Sequence, residues 1–349
     1  MNTRSDYPSH LFKNRWELFC RWVNLQEQGN GKSSMWRRLI SDFDLRQFPA
    51  NPHEQLFRPN LFRGYNFYAE QHDSLRYQFK RIVLSFTYAV ARAASYVRNR
   101  VWQINAYGLS VEQLTVHPAG VRWLKLLGLY DGFIDFCRQF QFSPHSAAGI
   151  KAYYVATRVL PYLQDVKQPR VIEIGGGFGN LAAIIHYKKP IFQYLIVDLP
   201  EMILHSSIAL STLYPEIPVY FLYPDSRDTY SPDLPGFFFC VPECVDKIAS
   251  NSFDLGYNID SFQEMTEPQV RGYLELMQRV LHEGAKLANL NRRKYLETES
   301  YDNNPLMYPY ASNNKILVWE TDLFMDRTLN YNRVRLDGWL MRIEKIHKI

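Results

Sequence analysis

A ten-residue stretch in the middle of the chain, VIEIGGGFGN at residues 171–180, constrains the fold more than any other part of the sequence. Its first four positions are apolar except for the acid Glu173, in the style of a buried strand. Glycines at alternate positions, Gly175, Gly177 and Gly179, then lead into an apolar run with helical character. The order strand, glycine turn and helix start predicts an α/β sheet in which backbone N–H groups face a ligand at the turn.

The spacing of the glycines distinguishes two classes of cofactor. The dinucleotide fingerprint G-x-G-x-x-G would need glycine or alanine where this chain has Asn180. The residues instead spell E-x-G-x-G-x-G, with Glu173 two places before the first glycine. This pattern resembles motif I of the class I methyltransferases that use S-adenosylmethionine (SAM). An acidic residue at the end of the strand also suits a cationic sulfonium better than a pyrophosphate.

Composition and cysteine usage limit the class of protein. The chain has 349 residues, of which 46% are hydrophobic and 21% charged, and this is typical of a folded globular protein. Its four cysteines are scattered without the spacing of a zinc site or a disulfide framework, which favours a cytoplasmic protein. The most apolar helical run, residues 82–91, is far shorter than the ~20 residues of a membrane span.

The charge of the chain is unevenly distributed and indicates two modules. Residues 1–160 carry 21 Lys and Arg against 11 Asp and Glu, whereas the remainder carries 19 against 24. We expect a mainly α-helical N-terminal module over residues 1–142, including a long basic helix over residues 74–102, and a methyltransferase domain over residues 143–349. The basic face could contact an anionic membrane surface or a lipid-linked glycan, or it could simply be solvated.

An acidic residue also ends the next predicted strand, at residues 194–197. Asp198, which Leu199 follows, lies where a carboxylate can accept hydrogen bonds from both hydroxyls of a ribose. This supports adenosine binding without choosing between SAM and NAD. Asp198 or Glu201 could instead cap the helix that follows.

Two segments compete for the third parallel strand, residues 219–222 and residues 237–241. The loop after the third strand normally contacts the adenine in the family that motif I resembles. We favour the later segment, which places Pro242 and Glu243 at the adenine, and the earlier segment would place Asp225 there.

Residues 253–259 form the predicted fourth strand, and a polar phrase follows its end. Taken together, NIDSFQEM, EIGGGFG and VDLPE resemble the sugar O-methyltransferases of bacterial polysaccharide and O-antigen gene clusters, over roughly residues 161–293. The resemblance implies a Rossmann-like sheet, mostly parallel, that ends in an antiparallel pair over KILVWETDLFMD and GWLMRIEKIHKI. It also implies SAM as cofactor, held by Glu173, Gly175, Gly177, Gly179, Asp198, Leu199, Pro242, Glu243, Asn258 and Gln263.

Methylation of a hydroxyl needs a base and an in-line arrangement of the reacting atoms. Where related small-molecule O-methyltransferases often carry histidine, this chain has Gln263 followed by Glu264. Glu264 is therefore the candidate base, with Asp260 second. Glu264 could instead cap the next helix, and the two carboxylates together could hold a divalent cation, which we leave open.

The resemblance implies acceptor contacts after the fifth strand, at Asn291, Arg293 and Tyr295. The expected reaction is transfer of the SAM methyl group to a sugar hydroxyl of a bacterial surface glycan or its precursor. The expected partner is thus a sugar or glycan acceptor and not a nucleic acid, and the oligomeric state is left open. The alternatives are methylation of a non-sugar small molecule and a SAM-binding protein without turnover that assists glycan synthesis.

Overall fold

The computed structural model describes residues 118–140, 147–224, 226, 228, 230–293, 304–325 and 338–348. The predicted basic helix at residues 74–102, and most of the predicted module at 1–142, lie outside these ranges. The boundary between the two modules therefore stays a prediction.

Eight strands of the described residues form one sheet in the order β3-β4-β2-β1-β5-β6-β8-β7. The first six strands along this order run parallel, and β8 and β7 are antiparallel to their neighbours. The strands are β1 (Arg170–Ile174), β2 (Gln193–Val197), β3 (Val219–Leu222), β4 (Gly236–Cys240), β5 (Phe253–Ile259), β6 (Leu281–Arg292), β7 (Lys315–Thr321) and β8 (Trp339–Lys345).

Helices connect the strands and cover the sheet, as parallel connections require. Single 3₁₀ turns add to them at Leu160–Leu163, Pro242–Lys247, Phe262–Glu264 and Pro305–Met307. The α-helices are α1 (Pro118–Leu126), α2 (Tyr130–Gln139), α3 (Ala147–Val159), α4 (Asn180–Lys188), α5 (Pro200–Leu213) and α6 (Glu267–Val280).

Strand β1 lies at the centre of the sheet, between β2 and β5, and four of its five residues are buried. Its three apolar residues, Val171, Ile172 and Ile174, are fully buried, since both faces of a parallel sheet are covered. Both candidate third strands exist, but β4 pairs with β2 and β3 only extends the edge beyond β4. The carboxyl ends of β1, β2, β4 and β5 therefore meet at one edge of the sheet.

The antiparallel pair at the C-terminus is present as predicted, with β8 inserted between β6 and β7. The sequence TEPQVRGYLELMQRVLHEG predicts a helix that ends with Gly284 as its C′ residue, and this prediction is wrong. The helix ends at Val280, and Gly284 lies within β6 with φ 82°, where its N–H donates to the carbonyl of Ile346. Glycine there serves a kink in a long strand, because the left-handed conformation is open to it at little cost.

The sequence VRWLKLLGLYDGFIDFCRQF after His117 predicts a helical stretch, and the structure interrupts it. It divides into α1 and α2 at Gly128, which has φ 68° and donates its N–H to the carbonyl of Lys125. Phe133 and Phe136 of α2 are buried, and Phe133 packs edge-on against Tyr153 of α3 at 5.3 Å between ring centroids. These two helices thus share the core of the domain that contains the sheet.

Helix α3 packs against the C-terminal pair of strands through Tyr154. The Tyr154 hydroxyl donates to Asp322 Oδ2 at 2.8 Å, and its ring stacks on Phe324 at 3.9 Å between centroids.

No helix of the described ranges is both long and apolar enough to span a bilayer.

Candidate active site

The glycine turn between β1 and α4 adopts the conformation that its sequence predicts. Gly175, Gly177 and Gly179 have φ angles of 75°, 56° and 78°, in the left-handed region that favours glycine. The three positions nevertheless meet different surroundings. A Cβ on Gly175 would overlap the hydroxyl of Ser261, and one on Gly179 would press on Leu210 at 3.2 Å. A Cβ on Gly177 would meet no described atom within 4 Å, so this glycine faces open space.

Asp198, directly after β2, lies against the glycine turn. Its Oδ2 accepts the Gly177 N–H at 2.7 Å, and its Oδ1 accepts the Leu199 N–H at 2.7 Å. Burial raises the Asp198 pKa to about 7, despite these two N–H donors. The N-cap residue of α5 is Leu199, so neither Asp198 nor Glu201 occupies the N-cap position that the alternative interpretation gave them.

Glu173, the acidic residue of the motif, is buried beneath the turn rather than exposed above it. Its Oε2 accepts a hydrogen bond from the Tyr194 hydroxyl at 2.7 Å, and that hydroxyl also contacts the hydroxyl of Tyr257. Burial and the nearby Asp198 raise the Glu173 pKa to about 8, whereas Lys151 acts to lower it. A role of Glu173 toward the amino acid end of a cofactor stays a prediction.

A network of buried amides joins the carboxyl ends of β1, β5 and β6. Asn258 Nδ2 donates to the Ile174 carbonyl at 2.8 Å, and Asn258 Oδ1 accepts from Asn291 Nδ2 at 2.9 Å. Asn291 Oδ1 accepts the N–H of Gln263, whose own Oε1 accepts the N–H of Arg292 at 2.9 Å. The structure thus brings together three predicted ligand contacts, Asn258, Gln263 and Asn291, in a network that bonds internally.

Asp260 follows β5 in a conformation unusual for a residue with a side chain, with φ 66°. Its Oδ2 pairs with Lys151 Nζ at 2.6 Å, and its Oδ1 accepts from Gln263 Nε2 at 2.5 Å. Sequence reasoning missed Lys151, which lies on α3, 109 residues away in the chain. Side chains contributed from so far along the sequence leave no local pattern.

Glu264, the candidate base, is partly buried in the 3₁₀ turn that precedes α6. Burial and then Asp260 raise its pKa to about 8, Asp198 adds to this, and Lys151 and Arg292 act to lower it. The alternative that Glu264 caps the following helix does not hold. Thr266 is the N-cap of α6 and forms a capping box with Gln269.

Comparisons with known proteins found similar solved structures at low sequence identity. No protein-family model and no curated protein matches the chain. A SAM-dependent methyltransferase from Aquifex aeolicus is 14% identical, with a TM-score of 0.33, and the match covers 55% of this chain and 89% of that one. Geranyl diphosphate methyltransferase, solved with GPP and sinefungin, is 8% identical with a TM-score of 0.38, and covers 57% and 83%. A phosphoethanolamine N-methyltransferase from Haemonchus contortus is 14% identical with a TM-score of 0.35, and covers 62% and 61%.

The assignment of the fold rests on the sheet itself. Six parallel strands with the glycine turn after the central one are followed by an antiparallel C-terminal pair, as the sequence resemblance implies. This is a Rossmann-like methyltransferase sheet. Ligands of such open sheets bind outside the carboxyl ends of the strands, where Gly177, Asp198 and Glu264 lie.

The other predicted site residues of this methyltransferase sheet are placed as follows. Pro242 and Glu243 open the 3₁₀ turn directly after β4, and Glu243 is exposed. Arg293 donates its N–H to the Gly338 carbonyl at 2.7 Å, so its backbone is fixed beside β8. Tyr295 and Asp225 lie outside the described residues.

Two further residues, which the sequence analysis did not select as site residues, belong to this edge of the sheet. Asn180, the first residue of α4, has a buried Oδ1 with no hydrogen-bond partner among the described residues. Tyr273 of α6 lies within electrostatic range of Asp198 and Glu243, and burial raises its pKa. Within the described ranges, no three His, Cys, Asp or Glu side chains group together as a metal site.

Proposed function

We propose that this protein transfers the methyl group of SAM to a hydroxyl of a bacterial surface sugar or of its precursor. The single observation that carries the proposal is the pairing of Gly177 with Asp198. A backbone turn without side chains, open above Gly177, lies 2.7 Å from a buried carboxylate at the carboxyl edge of the sheet. That arrangement suits an adenosyl group, whose ribose needs an acceptor for its two hydroxyls.

The residues at this edge fit the proposed cofactor in two ways. An ionised carboxylate has about four acceptor positions, and the N–H groups of Gly177 and Leu199 use two of those on Asp198. The other two remain for the hydroxyls of a ribose. Asn180 Oδ1 supplies a further buried acceptor next to the turn. SAM would supply the electrophilic methyl group.

The acceptor hydroxyl must lose a proton as it is methylated, and Glu264 is the proposed base. Its raised pKa of about 8 makes it a stronger base than an ordinary carboxylate. At pH 7 roughly a tenth of a group with this pKa is ionised, at pH 8 about half, and above about pH 9 the ionised fraction approaches its maximum. Asp260 is less suited to the role because Lys151 and Gln263 occupy both of its oxygens.

The choice of a sugar as acceptor rests on the sequence phrase NIDSFQEM in combination with the glycine motif. One observation favours the alternative that this protein binds SAM without transferring its methyl group. Gln263, at the position where histidine often acts as base, is engaged through both ends of its amide with Asp260 and with Arg292.

Radiolabelled SAM, incubated with nucleotide sugars and purified bacterial oligosaccharides, tests the proposal. We expect methyl incorporation into at least one of these acceptors, with a rate that rises with pH through about 8 as Glu264 loses its proton. Glu264→Gln should lower the rate by about 10²- to 10⁴-fold, the usual contribution of a general base. SAM binding should change little, because the substituted amide keeps the shape of the side chain.

The control for this experiment is Glu275→Gln on the exposed face of α6, which should retain full activity. A Glu264→Gln protein as active as wild type would eliminate Glu264 as the base. Absence of transfer to every acceptor, in a protein that does bind SAM, would favour the non-catalytic alternative.

A further inference from the structure

Helix α3 contacts the candidate site through Lys151. Lys151 Nζ contacts Asp260 Oδ2 at 2.6 Å, and both side chains are largely shielded, with exposed fractions of 24% and 20%. On the other side of the carboxylate, Gln263 Nε2 donates to Asp260 Oδ1. Asp260 is therefore held from two directions, by a helix before β1 and by the turn after β5.

The backbone that these contacts hold is strained. A residue other than glycine is uncommon at φ 66° and persists there only where its surroundings fix it. The conformation of Asp260 sets the direction of the chain into the 3₁₀ turn Phe262–Glu264, whose backbone N–H groups are hydrogen-bonded. The N–H groups of Asp260, Phe262, Gln263 and Glu264 donate to Leu290 O, Asn258 Oδ1, Asn291 Oδ1 and Ser261 O, respectively.

The same lysine also balances the charge of the site. The charged groups that act on Glu264 are Asp260 and Asp198, which disfavour its ionised form, and Lys151 and Arg292, which favour it. Lys151 has the same effect on Glu173. Without the Lys151 ammonium group, Arg292 would be left as the cation that acts on Glu264 near the four acids of this edge, which are Glu173, Asp198, Asp260 and Glu264.

We propose that Lys151 is a positioning residue of the methyltransferase site, which clamps Asp260 and thereby fixes the turn that presents Glu264. This inference rests on the proposed function for the role of Glu264. The clamp itself is a property of the folded chain that can be measured without an acceptor.

Hydrogen exchange of the full chain, followed by mass spectrometry with fragments that cover residues 260–264, tests the clamp. Lys151→Gln should speed exchange of the four bonded amides by about tenfold, because loss of a shielded ion pair releases the strained residue. Lys151→Arg keeps the charge and should stay within about threefold of wild type. Lys167→Gln, an exposed lysine before the amino end of β1, should leave these amides unchanged.

A second variant approaches the same pair from the other side. Asp260→Asn removes the charge but keeps an oxygen for Gln263, so it should reproduce the faster exchange even if Lys151→Gln fails to fold. Wild-type exchange in both Lys151→Gln and Asp260→Asn would overturn the inference.

Carboxyl NMR of ¹³C-labelled glutamate measures the pH at which Glu264 titrates, a quantity that a purely structural role of Lys151 would not change. The Glu264 resonance, assigned with Glu264→Gln, should titrate at higher pH in Lys151→Gln than in wild type or in Lys151→Arg. An unchanged Glu264 titration in Lys151→Gln would contradict the electrostatic part of the proposal.

Calorimetry with S-adenosylhomocysteine (SAH) separates this inference from the proposed function. SAH binding by wild type, with unaltered exchange in the variants, would reject the clamp and leave the function standing. Faster exchange in the variants, with no SAH binding by wild type, would reject the function and leave Lys151 as the residue that orders the turn.

Discussion

At the scale of single residues, the glycines of one motif serve different purposes. Gly175 is required by a protein contact, since any Cβ there would overlap the Ser261 hydroxyl. Gly177 is the position that faces open space while its N–H is bound by Asp198. A side chain at Gly177 would therefore project into the proposed cofactor site rather than into the protein.

Gly177→Ala should consequently affect binding more than folding. We expect a loss of SAH affinity of more than about tenfold, together with a loss of stability of about 1 kcal/mol from the positive φ. Calorimetry and urea denaturation measure the two effects.

The matched control is Gly272→Ala in helix α6, where a Cβ likewise meets no described atom within 4 Å. Alanine at this helical position should raise stability by about 0.5–1 kcal/mol and leave SAH binding unchanged. Equal SAH affinity in both variants would show that Gly177 does not border the site.

At the scale of elements, helix α3 contacts the carboxyl edge of the sheet at two points, one after the inner strand β5 and one after the outermost strand β7. Lys151 reaches Asp260 after β5, and one turn later Tyr154 reaches Asp322 after β7. The Asp322 carboxylate is buried, and its other oxygen accepts the N–H of Met325 at 2.9 Å. The Tyr154 hydroxyl thus pairs a buried acid that would otherwise lack a side-chain donor at Oδ2.

Tyr154→Phe should destabilise the protein by about 1–3 kcal/mol, because it leaves a buried carboxylate oxygen without this donor. Phenylalanine keeps the ring and its stacking on Phe324, so the loss of stability measures the contribution of the hydrogen bond. Urea denaturation of Tyr154→Phe, of Asp322→Asn and of the double variant measures the coupling between the two side chains. Equal stability of wild type and Tyr154→Phe would contradict this account of how α3 is fixed.

Most strands could be predicted from the sequence, whereas much of the site could not. Local periodicity and a bounding acid were enough for β1, β2 and β5. The end of α6 was misplaced because Gly284 has the residue type of a helix terminus but the place of a strand kink. The Asn258–Asn291 bond and the Lys151–Asp260 pair join distant parts of the chain, and no local pattern encodes such contacts.

At the scale of the whole molecule, the sheet gathers four acidic side chains at one edge. Three of them, Glu173, Asp198 and Glu264, have raised pKa values because burial disfavours their charged forms. They come from separate strands and turns, and only the parallel order of β2, β1 and β5 brings them together. An edge of this kind suits a cationic ligand, which would recover part of the cost of ionising the acids.

Calorimetric titration of SAH at pH 6, 7 and 8, with NAD in parallel, tests the central claim most directly. Ribose hydroxyls favour the ionised form of Asp198, whose pKa is about 7 in the free protein, so binding should release a proton. The account predicts that SAH binds. Its affinity should rise by up to about tenfold for each unit of pH increase below pH 7 and should level off above pH 7. Asp198→Asn should weaken SAH binding at pH 8. Binding of NAD without binding of SAH would contradict it.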